Sequence, residues 1–187
     1  MIYGIVVIDK SWGIGKDGHL LFSLKKDMQY FKEKTEGNFV VMGYNTCLSL
    51  PGKKPLSNRT NLVLCPKDVE LPSGFIRVND INEILQLDAT AAAYNDKYPG
   101  SIGNIYIIGG GMMYRSMLPY CDKIFVTKVD AEKESDTFFP NLDTDTSFEL
   151  IEESELIDDN GYKIKFTTYV NNNKQSLLGL NGYFRYL

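Results

Sequence analysis

Three consecutive glycines, Gly109 to Gly111, interrupt an apolar segment at the point where a strand would lead into a helix. Residues 105–108 are β-branched or aromatic and predict a buried strand, while residues 112–118 are compatible with a helix. Glycine lets the backbone approach a ligand closely, and the first amides of a helix are unpaired donors. The pattern therefore favours a phosphate-binding turn, although a tight turn without any ligand has the same sequence.

A single carboxylate, Asp27, falls within the apolar stripe of a predicted helix. Leu24, Asp27, Met28 and Phe31 occupy positions i, i+3, i+4 and i+7, so we expect them to share one helical face. An aspartate near a helix start is ordinarily a solvated cap or a partner of the helix dipole. An aspartate held among apolar side chains would instead be a candidate for ligand binding and proton transfer. The residues alone leave both interpretations open.

The elements that must position these groups are predicted from hydrophobic periodicity. Strands are expected at residues 2–8, 38–42, 60–64, 75–78, 104–108, 123–129, 148–152 and 163–170, and helices at 24–34, 44–50, 80–93 and 111–118. Asp80 and Glu83 form a capping pair for the third helix, and residues 89–103 are interpreted as a helix end followed by a surface loop. Early alternation of strands and helices, followed by strands, predicts an α/β fold whose sheet is mostly parallel with an antiparallel C-terminal edge.

Composition limits the class of protein. The chain has 187 residues, of which 43% are hydrophobic, and this fits one domain with one substantial core. The formal charge of -4 argues against nucleic-acid or anionic-membrane binding. Cys47, Cys65 and Cys121 lack metal-site or redox spacing and are expected to be buried in a reducing compartment. The apolar N-terminus has no basic flank and is interrupted by Asp9, so it predicts a first strand and a cytoplasmic protein. The length predicts a monomer, and no metal site is expected.

Residues 171–187 begin with polar side chains and end with apolar ones. Six residues of this segment are candidates for packing: Leu177, Leu178, Leu180, Tyr183, Phe184 and Tyr186. A natural extension, a partner-contact segment and an artificial addition are all compatible with the pattern, so its role stays open.

Several blocks taken together identify a family. They are residues 13–18, 20–27, 40–46, 55–60, 125–131 and 136–140, with Phe31, Thr35 and the triple glycine between them. In this order and at these spacings, residues 1 to about 170 resemble dihydrofolate reductase. The resemblance implies a single-domain fold with an eight-stranded, mostly parallel central sheet and flanking helices. It also implies NADPH-dependent reduction of 7,8-dihydrofolate to 5,6,7,8-tetrahydrofolate, with hydride transfer to pterin C6, protonation at N5 and inhibition by antifolates.

The resemblance assigns Asp27 to the pterin. Its carboxylate would accept hydrogen bonds from the 2-amino group and the adjacent ring nitrogen and would support protonation of N5 by water. Arg59 would grip the glutamate α-carboxylate, and Thr127 would support the acid through a water molecule. The remaining expected substrate contacts are Ile5, Val6, Phe31, Leu50, Leu56 and Ile108.

The resemblance assigns the cofactor to the glycine turns and a mobile loop. Thr46 and helix amides would bind the pyrophosphate of NADPH, and a cis peptide would join Gly109 to Gly110. The expected cofactor residues are Val7, Ile14, Gly15, Gly18, Leu20, Gly43, Tyr44, Asn45, Thr46, Leu64, Cys65, Lys67, Ile108, Gly109, Gly110, Gly111, Met112, Met113 and Tyr114.

The chain departs from the family pattern at two places. Leu21 and Phe22 stand where the family usually has Pro-Trp, which removes an indole donor near the acid. Tyr44 stands in place of a basic residue, and Leu64 is followed by Cys-Pro-Lys67 in place of a serine-rich segment. We expect Lys67 and Tyr44 to compensate, with weaker selectivity for NADPH over NADH.

Two other functions remain as alternatives. A pyrimidine reductase of riboflavin synthesis is similar in its glycine blocks but would not be expected to combine Asp27, Phe31 and Arg59. A non-catalytic folate- or nucleotide-binding protein is supported only by Leu21 and Phe22. His19, the one histidine of the chain, is expected to be an exposed loop residue rather than a catalytic one.

Overall fold

The structure is a computed structural model that describes residues 1–176. The apolar residues between 177 and 187 that were expected to pack lie outside the described residues. The strands are β1 Ile2–Ile8, β2 Gly13–Lys16, β3 His19–Leu20, β4 Phe39–Gly43, β5 Thr60–Leu64, β6 Ile76–Val78, β7 Ile105–Gly109, β8 Lys123–Val129, β9 Thr137–Phe138, β10 Phe148–Glu153, β11 Ile157–Asp159 and β12 Tyr162–Asn171. The α-helices are α1 Lys25–Thr35, α2 Tyr44–Ser49, α3 Ile81–Lys97 and α4 Gly111–Met117.

The central sheet has the strand order β10-β12-β8-β1-β7-β4-β5-β6, and β11 pairs with β12. Pairing is parallel from β8 to β6, whereas β12 runs antiparallel to β8, β10 and β11. The predicted mostly parallel sheet with an antiparallel C-terminal edge is confirmed. A small second sheet joins β2 to β3 and to β9.

The two faces of the sheet are covered by different apolar clusters. Alternate residues of a strand point to opposite faces, so Val6 packs into one cluster with Trp12 and Ile14, while Ile5 packs into the other with Phe31. Burial on both faces explains why the parallel strands have continuous apolar sequences. The three cysteines are free and buried, as predicted.

Each of the eight predicted strands is found with its ends shifted by one residue at most, but four short strands were not predicted. β2, β3, β9 and β11 have two to four residues and give too little periodicity to detect. Asp80 caps α3 as expected, because its carboxylate accepts from the amides of Asn82 and Glu83. The Glu83 side chain completes the cap by accepting from Asn79.

Two expectations about the helices were wrong. Helix α3 continues to Lys97, well into the segment interpreted as a loop, because alanine has a high helix propensity and Asn95 exchanges two hydrogen bonds with the backbone of Ile102. Met28 does not belong to a buried stripe, since 66% of its surface is exposed. Leu24, by contrast, is buried beneath the start of α1.

Candidate active site

The carboxyl ends of three neighbouring parallel strands bring the predicted cofactor residues to one edge of the sheet. β7 pairs with β4, and this pairing places Gly109 beside Met42. β4 pairs with β5, and this pairing places Gly43 beside Leu64. Ligands of α/β proteins bind at such edges, where loops and helix starts converge. Residues far apart in sequence are therefore gathered into one possible binding surface.

The two glycine turns at this edge touch each other. Gly109 and Gly110 are joined by a cis peptide bond, as the resemblance implied, and Gly109 has a φ of 128°, which favours glycine. A Cβ atom added to Gly110 would lie 3.3 Å from Thr46 Oγ1, and one added to Gly43 would lie 3.9 Å from the Gly110 nitrogen. The absence of side chains thus leaves a backbone cradle beside the Thr46 hydroxyl, and this fits a pyrophosphate group.

Asp27 lies in the first turn of α1, next to the strand pair β1 and β8. Burial raises the pKa of its carboxyl to about 6, an interaction with the Thr127 side chain opposes the shift, and the charge of Asp159 adds to it. Thr127 is buried and pairs with Val7 in the sheet. Thr127 therefore lies close enough to Asp27 to affect its ionisation, and the interaction through a water molecule that the resemblance implied stays a prediction.

The predicted substrate contacts share one face of the sheet, with one exception. Five apolar side chains belong to a single cluster beside α1: Ile5, Phe31, Leu50, Leu56 and Ile108. The Val6 side chain packs into the cluster on the opposite face, so that only its backbone faces the other five. The cluster gives Asp27 apolar surroundings suited to a flat ring.

Arg59 lies against the C-terminal half of α1. Its Nε donates to the Ser57 carbonyl at 2.9 Å, and its Nη1 donates to Thr35 Oγ1 at 3.0 Å. The guanidinium carbon lies 6.0 Å from the centre of the Phe31 ring. The side chain is half-buried, and its position beyond Phe31 suits a carboxylate attached to the far end of a ligand that starts at Asp27.

The mobile loop implied by the resemblance, residues 13–21, contains the hairpin of β2 and β3, and this hairpin is held by the segment around β9. Asp136 Oδ2 accepts from the Asp17 amide at 2.7 Å, and the Asp136 amide donates to the Gly15 carbonyl at 3.0 Å. Leu20, at the end of β3, is 80% exposed, and His19 is exposed as predicted. An exposed apolar side chain on a short surface hairpin suits a lid.

Phe22, which replaces the family tryptophan, is a packing residue. Its ring is buried and lies edge-on to Tyr162, with 5.0 Å between the ring centres. Lys133 Nζ lies 4.7 Å from the centre of the Phe22 ring and donates to the Leu21 carbonyl at 2.7 Å. The departure at Leu21 and Phe22 therefore retains an ordered connection between the lid and α1.

An arginine that sequence reasoning missed lies beside the turn after β5. Arg77, on β6, donates to the carbonyls of Pro66 and Val69 and to Cys65 Sγ. The Tyr44 hydroxyl donates to the Glu70 carbonyl of the same turn at 3.4 Å. The sequence around Arg77 gives no local signal for this position, because the position depends on the pairing of β5 with β6. A guanidinium thus adjoins the turn that carries the exposed Lys67.

Other predicted cofactor residues face the interior or the solvent. Met113 is buried in the core, and the buried Tyr114 hydroxyl donates to the Ile5 carbonyl at 2.8 Å, which ties α4 to β1. Ile14 and Cys65 are also buried, whereas 79% of the Met112 surface is exposed. Within residues 1–176, no group of three or more histidine, cysteine or carboxylate residues is placed to hold a metal ion. No helix in the same range is long and apolar enough to cross a membrane.

Comparison with known proteins decides the family. The family model described as dihydrofolate reductase matches residues 1–171. The chain belongs to the dihydrofolate reductase family. It is 36% identical over 180 residues to the viral dihydrofolate reductase of Saimiriine herpesvirus 2 (strain 488), covering 88% of this chain and 82% of that protein. It is 35% identical over 179 residues to a bifunctional dihydrofolate reductase-thymidylate synthase of Arabidopsis thaliana, covering 89% of this chain but 33% of that longer enzyme.

A solved dihydrofolate reductase has the same fold. The enzyme from Enterococcus faecalis, complexed with NADP(H) and RAB-propyl, superposes with a TM-score of 0.76 and 32% identity, covering 92% of this chain and 96% of that one. The chain is accordingly an NADPH-dependent oxidoreductase that reduces 7,8-dihydrofolate to tetrahydrofolate. The family match argues against the riboflavin-pathway reductase as an alternative.

Proposed function

We propose that Asp27 is the residue through which this dihydrofolate reductase binds and activates the pterin. The observation that carries the proposal is the pKa of about 6 at a carboxyl placed beside Thr127 and an apolar cluster. Such a carboxyl changes its protonation near neutral pH, and a flat ring placed on the cluster would reach it edge-on. The two carboxylate oxygens match the paired donors of a 2-amino group and an adjacent ring nitrogen.

Proton delivery to N5 falls to water in this proposal. Burial raises the pKa values of Tyr30 and Tyr106 to about 12, so neither phenol is acidic enough to supply a proton at neutral pH. Burial raises the pKa of the Tyr114 phenol even further, and its hydroxyl already donates to Ile5. Asp27 would orient the ring and favour the protonated pterin, while the lid excludes bulk solvent.

The glycine cradle is proposed as the cofactor side of the pocket. Thr46 with the Gly43 and Gly110 backbone would hold the pyrophosphate, and Lys67 would approach the 2′-phosphate beside Arg77. NADPH bound there supplies the hydride for C6. Four more residues belong to the proposed cofactor set because of their positions: Val7, Asn45 and Gly111 near the carboxyl edge of the sheet, and Gly18 in the turn between β2 and β3.

We further infer that the enzyme is a cytoplasmic monomer that binds small molecules rather than nucleic acid. Its net charge of -4 and its three buried free cysteines support this proposal. Residues 1–170 would form the catalytic domain, and 171–187 would be an extension. At its start, Asn171 donates to the carbonyl of Pro119, and Lys174 is paired with Asp122.

The substitution Asp27→Asn tests the central proposal. We expect kcat/KM for dihydrofolate at pH 7 to fall by about 10²-fold or more, since the amide cannot accept two hydrogen bonds as the carboxylate does. NADPH binding, followed by its fluorescence, should remain near the parent value. Asp130→Asn, which alters an exposed carboxylate paired with Lys10, is the matched control and should retain full activity. Parent-like turnover of Asp27→Asn would remove Asp27 from the mechanism.

NADPH consumption on addition of dihydrofolate separates the remaining alternatives. The parent protein should oxidise NADPH with dihydrofolate and should be inactive with a ribosylated pyrimidine. Binding of both ligands without any loss of NADPH absorbance would point to the non-catalytic alternative.

A further inference from the structure

Helix α1, which carries Asp27, is capped by a residue from the opposite end of the chain. Its N-cap position is Leu24, whose side chain has no hydrogen-bonding group. The Asp159 carboxylate instead accepts from the amide of Lys25 at 2.9 Å, of Lys26 at 2.7 Å and of Asp27 at 3.2 Å. Asp159 is only 4% exposed. Three of the four amides that a helix start leaves unpaired are thus satisfied by one distant carboxylate.

The segment that carries Asp159 is itself fixed against the start of α1. Asp159 ends β11, and the turn to β12 contains Asn160 and Gly161, both at positive φ. Asn160 Nδ2 donates to the Ser23 carbonyl at 2.8 Å. Asn160 therefore binds the residue just before α1, and Asp159 binds the first amides of the helix. These bonds give the hairpin and the helix start a defined relative position.

We propose that Asp159 is a positioning residue for Asp27, setting both the place of its carboxyl and the electrostatic field around it. The inference deepens the proposed function, because it assumes that Asp27 is the group that binds the pterin. The direct bond to the Asp27 amide fixes the backbone from which the reacting carboxyl extends. The peptide dipoles at the start of α1 favour the ionised form of Asp27. The negative charge of Asp159 at the same helix end opposes this effect.

The charges around this pair support an effect on Asp27. Burial is the largest cause of the raised pKa of Asp27, and the charge of Asp159 acts in the same direction, while Thr127 acts against both. Other charged or titratable groups on the packed elements are the following: Lys25, Lys26 and Tyr30 on α1, Tyr114 on α4, Lys133 after β8, and the ion pair of Asp158 with Lys163 on the hairpin. Lys133 Nζ donates to the Leu21 carbonyl rather than to Asp27. The opposite charges of Asp158 and Lys163 offset each other.

Removing the charge of Asp159 should therefore lower the pKa of Asp27. The proposed function requires a proton at the site formed by Asp27 and the pterin. A lower pKa of Asp27 should therefore shift the declining limb of the kcat/KM profile to lower pH. A shift of about half a unit corresponds to about a threefold loss of kcat/KM above both pKa values. A purely structural cap would instead change the melting temperature and leave the pH profile in place.

The test uses three variants of the full chain. Asp159→Asn and Asp159→Ser keep an acceptor for the helix amides but remove the charge, whereas Asp159→Glu keeps the charge. Asp158→Asn, at the exposed neighbour, is the control. We expect the first two to lower the apparent pKa in the kcat/KM profile. We expect Asp159→Glu and Asp158→Asn to show the same kcat/KM profile as the parent.

Direct titration of the Asp27 carboxyl by carbon-13 NMR gives a readout that does not depend on catalysis. A lowered Asp27 pKa in Asp159→Asn or Asp159→Ser supports the inference even if Asp27→Asn were to retain activity, an outcome that would overturn only the proposed function. An unchanged Asp27 pKa and pH profile, with a lower melting temperature alone, would overturn the inference. Should one uncharged variant fail to fold, the other serves the same comparison.

Discussion

Arg59, the proposed partner of the glutamate carboxylate, is held in a defined position by other groups of the protein. Its Nε and Nη1 bind Ser57 and Thr35, which orient the guanidinium beside Phe31. Burial lowers the pKa of Arg59, but an arginine remains charged at all relevant pH values. The conformational entropy of the Arg59 side chain is thus already reduced in the free protein, so that binding a ligand loses less of it.

We expect Arg59→Ala to weaken dihydrofolate binding much more than binding of a pterin without the glutamate. A charge-assisted pair contributes about 1.5–3 kcal/mol, equivalent to about ten- to a hundredfold in affinity. Equilibrium titration of both ligands measures the difference. Equal losses for both ligands would indicate that Arg59 only supports Thr35.

Lys67 is expected to contribute to the choice of NADPH over NADH. It is exposed on a turn that Arg77 holds by its carbonyls, so Lys67→Ala should reduce the NADPH/NADH ratio of kcat/KM by about three- to tenfold. Lys53→Ala, at another exposed lysine, should leave the ratio unchanged. An unchanged ratio in Lys67→Ala would assign the 2′-phosphate to other groups.

At the scale of elements, the proposed lid is attached differently at its base and at its tip. The hairpin is tied to the segment around β9 by the pairing of β2 with β9, by two bonds of Asp136 and by the ion pair of Lys16 with Glu134. At its base, the buried Asp9 carboxylate accepts from the amides of Ser11, Gly13 and Lys133. Buried bonds fix the base, whereas exposed bonds hold the tip. This gradient allows the tip to open without unfolding the base.

We expect Asp136→Ala to raise KM for NADPH by about three- to tenfold, because it frees the Asp17 amide from the lid-closing contact. The free energy of unfolding should stay close to that of the parent, since Asp136 is exposed. Glu134→Ala, which removes only an exposed ion pair with Lys16, is the control for local charge. The same KM in both variants would rule out a specific closing role for Asp136.

At the scale of the whole molecule, the site reduces stability. The pKa of Asp27 is raised from 3.8 to about 6, so the folded state binds this proton more tightly than the unfolded state. The contribution of Asp27 to stability therefore decreases as pH rises from about 4 to 6, and the penalty stays constant above that range. The proposed pterin-binding carboxyl among apolar side chains thus has a cost to the fold.

The corresponding prediction is that Asp27→Asn stabilises the protein at neutral pH. The gain should be about 1–3 kcal/mol at pH 7, with the lower end reflecting partial exposure of Asp27, and should vanish near pH 4. Denaturant unfolding of parent and variant across this range measures it. A difference that does not depend on pH would show that Asp27 ionises as easily in the folded as in the unfolded protein.

Local patterns in the sequence determined the main elements and the chemical types of the site. The eight predicted strands of the central sheet and the cap at Asp80 followed from side-chain patterns and local hydrogen bonding, which act over a few residues. The glycine turn and the resemblance identified the family and gave Asp27, Thr46 and Arg59 their expected roles.

Only the tertiary structure decided which distant groups act together. Asp159 and Arg77 show no local signal. The partners of Asp159 are backbone amides 132 to 134 residues away. Arg77 binds two backbone carbonyls, 8 and 11 residues away, and the side chain of Cys65, 12 residues away. Val6 and Ile5 belong to different clusters because different elements cover the two faces of the sheet. Met28 is exposed because no neighbouring element covers its side of α1. Periodicity specifies that a face exists, whereas packing specifies what lies against it.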